Sequence, residues 1–152
     1  MINKIKTRMA SEEGFTLIEL LVVMIILGIL VAIAVPAYLS LTGKAKTAAA
    51  EANVRSAIPA AETWYQDTSN NTNPNTYLSL SFVKLNQEAP GIASTVKAVS
   101  LNGGDGYCIQ DTEATTSFFY VGGNPGTLTA GVQAGKISPG VCTDAVSGVT
   151  VS

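Results

Sequence analysis

The sequence predicts an α+β fold in which a long N-terminal helix precedes a small antiparallel β-sheet head. Three observations support this expectation. An apolar run covers residues 15–41, an alanine-rich segment with the composition of a helix covers 42–67, and short strand candidates separated by turn formers follow within 68–152. The length of 152 residues suits about one domain. Much of its apolar content, however, lies in the first segment.

The apolar run is long enough to cross a membrane. Residues 20–35 contain neither a charge nor a hydroxyl group, and 15–41 would extend roughly 40 Å as a helix, against a hydrocarbon core of about 30 Å. An ordinary signal peptide has its small-residue cleavage site after the apolar region, whereas here Gly14 precedes it. A simple membrane anchor fits the length but leaves Glu19 unexplained, because a carboxylate inside a span is unfavourable and usually marks a function.

Residues 14–19, Gly-Phe-Thr-Leu-Ile-Glu, followed by an apolar run that contains Pro36, resemble the N-terminus of a type IV prepilin. The resemblance implies the type IV pilin fold, in which the second half of the helix packs on the sheet. It also implies that residues 1–14 are a leader peptide. A prepilin peptidase would cut between Gly14 and Phe15 and methylate the new amine of Phe15.

Cleavage would give Glu19 a partner. The new α-amine of Phe15 would lie four residues from Glu19, or about 6 Å along a helix. A carboxylate in a medium of low dielectric gains from a nearby cation, in its own subunit or in a neighbouring one. The resemblance favours the neighbour and so implies an assembly role for Glu19. Glu12 and Glu13 depart from the family pattern, in which basic residues commonly precede the glycine.

Gly28 and Pro36 are candidate positions for a helix break. Proline lacks a backbone donor and crowds the preceding turn, and similar pilins lose helicity in this region when they pack in filaments. Simple tolerance is an equal alternative, because both residue types are frequent in membrane helices. Pro59 predicts either a second bend or a shorter helix.

Three strands are expected in the head, joined by the turns GGDG and EATT into an antiparallel meander. Their predicted ranges are 95–101, 107–111 and 117–121. One face of this sheet needs an apolar partner. The helix offers one in a stripe with a spacing of three or four residues, formed by Ala50, Val54, Ile58, Ala61 and Tyr65.

Cys108 and Cys142 are the only cysteines and permit one bridge. A bridge would close the loop 108–142 and stabilise the head by about 4 kcal/mol on the loop-entropy estimate. The arrangement resembles the C-terminal disulfide loop of many pilins. The alternative is a pair of reduced, buried cysteines.

Composition argues against several classes of function. There is no histidine, and the acidic residues lack the spacing of metal ligands, so we expect no metal site, no cofactor and no catalysis on a small-molecule substrate. The GGDG segment lacks the lysine of a phosphate-binding loop. A net charge of −2 makes nucleic acid an unexpected partner.

The resemblance implies a structural subunit. Before assembly, the chain would lie in the bacterial cell membrane as a single span, with Lys4, Lys6 and Arg8 holding the N-terminus in the cytoplasm. An inner-membrane assembly platform and its ATPase would then polymerise it with copies of itself into an extracellular filament for adhesion, twitching motility or DNA uptake. The alternatives are a type II secretion pseudopilin, a competence pilin and a monomeric membrane-anchored binding module.

Overall fold

The computed structural model describes residues 14–113 and 115–145. Its helices are α1 (Leu17–Gln66), α2 (Phe82–Glu88) and α3 (Cys142–Ala145), with a 3-10 turn at Asn102–Gly104. Its strands are β1 (Lys97–Leu101), β2 (Gly106–Glu113), β3 (Thr116–Gly123) and β4 (Ile137–Pro139). The predicted α+β class is confirmed. Most of the predicted leader peptide, with its three basic residues, lies outside the described residues.

The chain divides into two compact units, Met1–Thr42 and Gly43–Ser152. In the first unit, the described residues form the N-terminal half of α1. The second unit contains the remainder of α1 together with the sheet, because this half of the helix supplies part of the same hydrophobic core. The bounds of the four predicted segments, 1–14, 15–41, 42–67 and 68–152, stay predictions.

The second half of α1 is amphipathic. Its buried residues recur at spacings of one to four, as expected for one face of a helix, and they are Ala50, Val54, Ala57, Ala60, Ala61 and Trp64. Within the predicted stripe, Ile58 and Tyr65 are only partly buried. Trp64 is buried, although the predicted stripe did not include it. The helix continues through Pro59 to Gln66, so the shorter-helix alternative is wrong.

The four strands form one antiparallel sheet in the order β1-β2-β3-β4. The predicted three-strand meander is present, and β4 extends it by pairing Ile137 with Tyr120 and Pro139 with Phe118. Sequence analysis missed β4 because a three-residue strand that ends in proline has almost no strand signal. Proline is tolerated here because β4 is an edge strand. The short helix α2 was also missed.

The two faces of the sheet belong to different hydrophobic clusters. Tyr107 and Ile109 of β2 pack with α1, whereas Cys108 points to the opposite face, as the alternation of a strand requires. The second cluster contains Leu101, Phe119, Val121 and Cys142 in addition to Cys108. Gly122 lies opposite Tyr107 in the β2–β3 register. An added Cβ at Gly122 would collide with the ring of Tyr107, so glycine is needed there.

Candidate assembly site

The N-terminus of α1 is held by a reciprocal pair of side-chain hydrogen bonds. The backbone N–H of Glu19 donates to Thr16 Oγ1 at 3.3 Å, and the backbone N–H of Thr16 donates to Glu19 Oε2 at 3.4 Å. The Thr16 hydroxyl also donates to Glu19 Oε2 at 3.3 Å. Because α1 begins at Leu17, Thr16 is the N-cap residue and Glu19 the third helical residue, which is the geometry of a capping box.

Sequence analysis missed this role of Thr16. The string Thr-Leu-Ile-Glu before an apolar run matches the capping-box pattern, and that signal was available in the sequence. The structure therefore gives the Glu19 carboxylate a partner inside the uncleaved chain. Its negative charge also lies in the first turn of the helix, where the helix dipole favours an anion.

The residues on either side of the predicted cleavage point are exposed and lie outside the helix. Gly14 and Phe15 precede α1, and the Phe15 side chain is 80% exposed. An added Cβ at Gly14 would meet no atom within 4 Å. The peptide bond between them is therefore not covered by the described part of the chain.

The first half of α1 presents apolar side chains on all sides. From Leu17 to Leu41, every large hydrophobic residue of the helix is exposed. By length and composition, α1 qualifies as a membrane span, and its most apolar window is not buried at all. Side chains of this kind require a non-aqueous environment or a matching apolar partner.

Gly28 and Pro36 both lie within α1, and the helix is assigned without interruption at either residue. The local opening expected at these positions is therefore not a feature of this isolated chain. Whether the helix opens when copies of the chain pack together stays a prediction.

Comparison with protein families matches residues 9–35 to the prokaryotic N-terminal methylation motif. The chain carries an N-terminal methylation motif. The matched residues include Gly14, Phe15, Thr16 and Glu19, which are the predicted cleavage point and the two partners of the capping box. The predicted resemblance to type IV prepilins is confirmed for this segment.

Known relatives match the same end of the chain. A protein of Thermus thermophilus named type IV narrow pilus major component PilA5 is 58% identical over 48 residues, which are 30% of this chain and 41% of the relative. Two proteins of Pseudomonas aeruginosa named fimbrial protein are each 44% identical over 54 residues, which are 36% of this chain and 35% of the relative. Each match thus covers less than half of the length of the relative. No solved structure matches the chain significantly.

In the second unit, a disulfide closes the C-terminal part of the head. Cys108 on β2 is bonded to Cys142 at the start of α3, with 5.9 Å between their Cα atoms. Both cysteines are fully buried. The backbone N–H of Cys142 donates to Gln110 Oε1 at 2.8 Å, which adds a second link between α3 and β2. The alternative of two reduced cysteines is not what the structure contains.

Glu62 joins α1 to the sheet through two tyrosines. Tyr77 donates its hydroxyl to Glu62 Oε2 at 2.8 Å, and Tyr107 donates to Glu62 Oε1 at 2.7 Å. Burial, with a smaller contribution from the neighbouring Glu62 carboxylate, raises the pKa of both tyrosines well above the usual value of 10.0. Both tyrosines therefore remain neutral donors at physiological pH.

A solvent-open groove of about 450 Å³ lies at the C-terminal end of α1. Its lining includes three acidic residues, Glu62, Asp67 and Glu88. The backbone N–H groups of Ser69 and Asn70 donate to Asp67 and lower its pKa. Burial, followed by the nearby charge of Asp67, raises the pKa of Glu88. In residues 14–113 and 115–145, no group of three or more histidine, cysteine, aspartate or glutamate side chains has metal-binding geometry.

Proposed function

We propose that the chain is a structural subunit of a type IV pilus, processed at its N-terminus and polymerised into a surface filament. The observation that carries this proposal is the exposed and predominantly apolar first half of α1, which begins at a capped N-terminus inside the methylation motif. The relatives that share this segment are named as a pilus component and as fimbrial proteins. The head then serves as the outer coat of the filament, and the subunit catalyses no reaction of its own.

Before assembly, the first half of α1 spans the bacterial cell membrane once. The basic residues Lys4, Lys6 and Arg8 keep the N-terminus in the cytoplasm, and the head is exported. In the filament, identical helices replace lipid around this segment. Because lipid tails are as apolar as leucine, side-chain packing and polar contacts would decide which helices associate, and expulsion of water would contribute little.

Processing is proposed to occur between Gly14 and Phe15. A prepilin peptidase hydrolyses this exposed peptide bond and methylates the released amine of Phe15. The same cut removes the polar residues 1–14 from the end of the apolar helix. An inner-membrane assembly platform, driven by its ATPase, then extracts the subunit and adds it to the growing filament.

Glu19 is proposed to register each incoming subunit. In the uncleaved chain, its carboxylate accepts the backbone N–H of Thr16. Cleavage creates a cation on the residue directly before Thr16, and the carboxylate then pairs with an α-amine, which we assign to the neighbouring subunit. In an apolar environment, an ion pair with good geometry is strongly preferred to an unpaired charge. A subunit in the wrong register would leave Glu19 unpaired.

Gly28 and Pro36 are proposed to allow a local opening of α1 when the helices pack. Pro36 supplies no backbone N–H, so one carbonyl of the preceding turn lacks its usual partner. The disulfide-closed head favours a pilus subunit over the major pseudopilin of type II secretion, which is typically stabilised by calcium in that region.

The deciding experiment is mass spectrometry of filaments sheared from the cell surface. We expect the N-terminal peptide of the protein in these filaments to begin at Phe15 and to carry one added methyl group on its amine. A matched Gly14→Val variant should remain uncut and should stay in the membrane fraction. If the wild-type chain remains uncut in the membrane and no filaments contain it, the chain is a monomeric membrane-anchored module and the proposal is wrong.

Two variants of Glu19 separate its charge from its capping role. Glutamine can take the place of glutamate in a capping box, but it has no charge. If Glu19 registers subunits through an ion pair, then both Glu19→Gln and Glu19→Ala should be cleaved yet yield few filaments. If only Glu19→Ala is defective, capping alone explains the residue. Filaments at wild-type yield from cleaved Glu19→Ala would contradict both roles.

A further inference from the structure

A small cavity in the second unit lies beside the C-terminal end of α1. Its volume is about 60 Å³, and its walls include Trp64, the asparagine-rich segment after α1, Ser79 and Lys84. A water-sized site needs about 10 to 15 Å³. The cavity therefore has room for a group larger than one water, but not for a large organic ligand.

Trp64 brings an unused hydrogen-bond donor to this cavity. The residue is only 2% exposed, and its Nε1 is buried without a hydrogen-bond partner among residues 14–113 and 115–145. An indole N–H can only donate. A buried donor without an acceptor is unfavourable, and such groups in folded proteins are nearly always satisfied. Since Trp64 lines the cavity, the missing acceptor is expected there.

Lys84 brings a positive charge to the same cavity. Its Nζ lies 5.0 Å from the centre of the Trp64 ring, within the range of a cation–π contact. In residues 14–113 and 115–145, the only ion pair with N···O within 4.0 Å is Arg55–Glu51. The ammonium group of Lys84 therefore has no carboxylate partner at that distance within the described chain, and it retains its capacity to donate hydrogen bonds.

The amide of Asn71 makes three hydrogen bonds. Its Nδ2 donates to the carbonyls of Trp64 and Thr76 at 3.0 and 3.1 Å, and its Oδ1 accepts the backbone N–H of Asn73 at 3.0 Å. These bonds hold the wall of the cavity in place. The Oδ1 of Asn71 has a second lone pair, but it accepts no hydrogen bond from the Trp64 indole. Within the described residues, the indole N–H of Trp64 thus lacks an acceptor and the ammonium group of Lys84 lacks a carboxylate partner.

We propose that this cavity binds one small monovalent anion, held by the indole N–H of Trp64 and the ammonium group of Lys84. An anion supplies the acceptor that Trp64 lacks and neutralises Lys84 at the same time, whereas water would do only the first. The acidic groove of Asp67 and Glu88 shares Asn70 with the cavity wall, and its negative charge disfavours a multivalent anion more strongly than a monovalent one. A halide ion and the carboxylate of formate both have suitable charge and size. The site is independent of the proposed assembly role.

Trp64 is the only tryptophan in the chain, so its fluorescence reports directly on the site. The full-length protein in detergent micelles would be titrated with sodium chloride, bromide or formate in exchange for sodium gluconate, whose anion is too large for the cavity. We expect a saturable change in Trp64 emission. Lys84→Gln should weaken the apparent affinity at least tenfold. Lys97→Gln, which removes an exposed charge on β1, should leave it unchanged.

The two classes of anion identify the source of the ligand. A response to halide indicates an inorganic ion, and a response to formate alone indicates a carboxylate. As a second measurement, the midpoint of thermal unfolding should rise when chloride replaces gluconate in the wild type, but not in Trp64→Phe, which lacks the donor. A non-saturable emission change, or equal responses in wild type and Lys84→Gln, would show that the cavity holds water only and would overturn the proposal.

Discussion

Tyr107 on β2 donates a 2.7 Å hydrogen bond to Glu62 on α1, and it does so from a position with no exposed surface. The other oxygen of the same carboxylate accepts the hydroxyl of Tyr77. One carboxylate therefore satisfies two buried donors and joins three parts of the second unit. The ring of Tyr77 lies 4.5 Å from that of Tyr107 between centroids, so the polar link is also packed by aromatic contact.

Replacing Glu62 should destabilise the folded state more than replacing either tyrosine. Glu62→Ala leaves two hydroxyl groups without an acceptor and should lower the free energy of unfolding by about 2 to 4 kcal/mol. Tyr107→Phe removes one donor and should cost less, about 1.5 to 3 kcal/mol. Glu62→Gln retains one acceptor oxygen and should lower the free energy of unfolding by less than Glu62→Ala does. Urea unfolding, followed by Trp64 fluorescence, measures all three. Equal stability of Glu62→Ala and wild type would contradict the link.

The same tyrosines predict a loss of stability at alkaline pH. The pKa of each is raised above 10.0 in the folded state, so the folded state keeps protons that the unfolded state releases. Their contribution is complete below pH 10 and declines as the pH rises above that value. Wild type should therefore lose more stability than Tyr107→Phe between about pH 9 and about pH 11. Tyr38→Phe, at an exposed position, is the control and should follow the wild type.

The raised pKa of Glu88 predicts that the stability of the folded state changes between acidic and neutral pH. Its pKa is raised above 4.5, chiefly by burial and then by Asp67, so the protonated form stabilises the folded state at low pH. This contribution is lost as the pH rises through the raised pKa. Glu88→Gln cannot ionise and should be more stable than wild type at neutral pH, by less than about 1 kcal/mol because solvent screens the group. The difference should vanish at about pH 4. A stability difference that is independent of pH would contradict this cause.

Removal of the disulfide should strongly destabilise the head. Cys108 and Cys142 are separated by 34 positions, and closing such a loop stabilises the folded state by about 4 kcal/mol on the chain-entropy estimate. The double variant Cys108→Ser, Cys142→Ser should lower the free energy of unfolding by that order. Treatment of wild type with a thiol reductant should have a similar effect and should not affect the double variant further. A reductant-insensitive wild type would argue against this contribution.

Much of the fold follows from local sequence. The apolar run and the alanine-rich segment predicted α1 because helix propensity and side-chain spacing are properties of neighbouring residues. The ranges 95–101, 107–111 and 117–121 predicted three of the four strands for a similar reason. The strand β4 could not be predicted, because Ile137–Pro139 is extended only through its pairing with β3. The capping box could be predicted from Thr16 and Glu19, because its pattern spans only four neighbouring residues.

The sequence by itself determined the methylation motif, the length of the apolar helix and the possibility of one disulfide, because each depends on residue identity and on spacing along the chain. Tertiary structure alone decided which groups meet across long separations. Glu62 and Tyr107 are 45 residues apart, and Asn53 and the buried Asp111 are 58 apart. No local pattern encodes such contacts, since they form only when the packing of α1 against the sheet brings their side chains together.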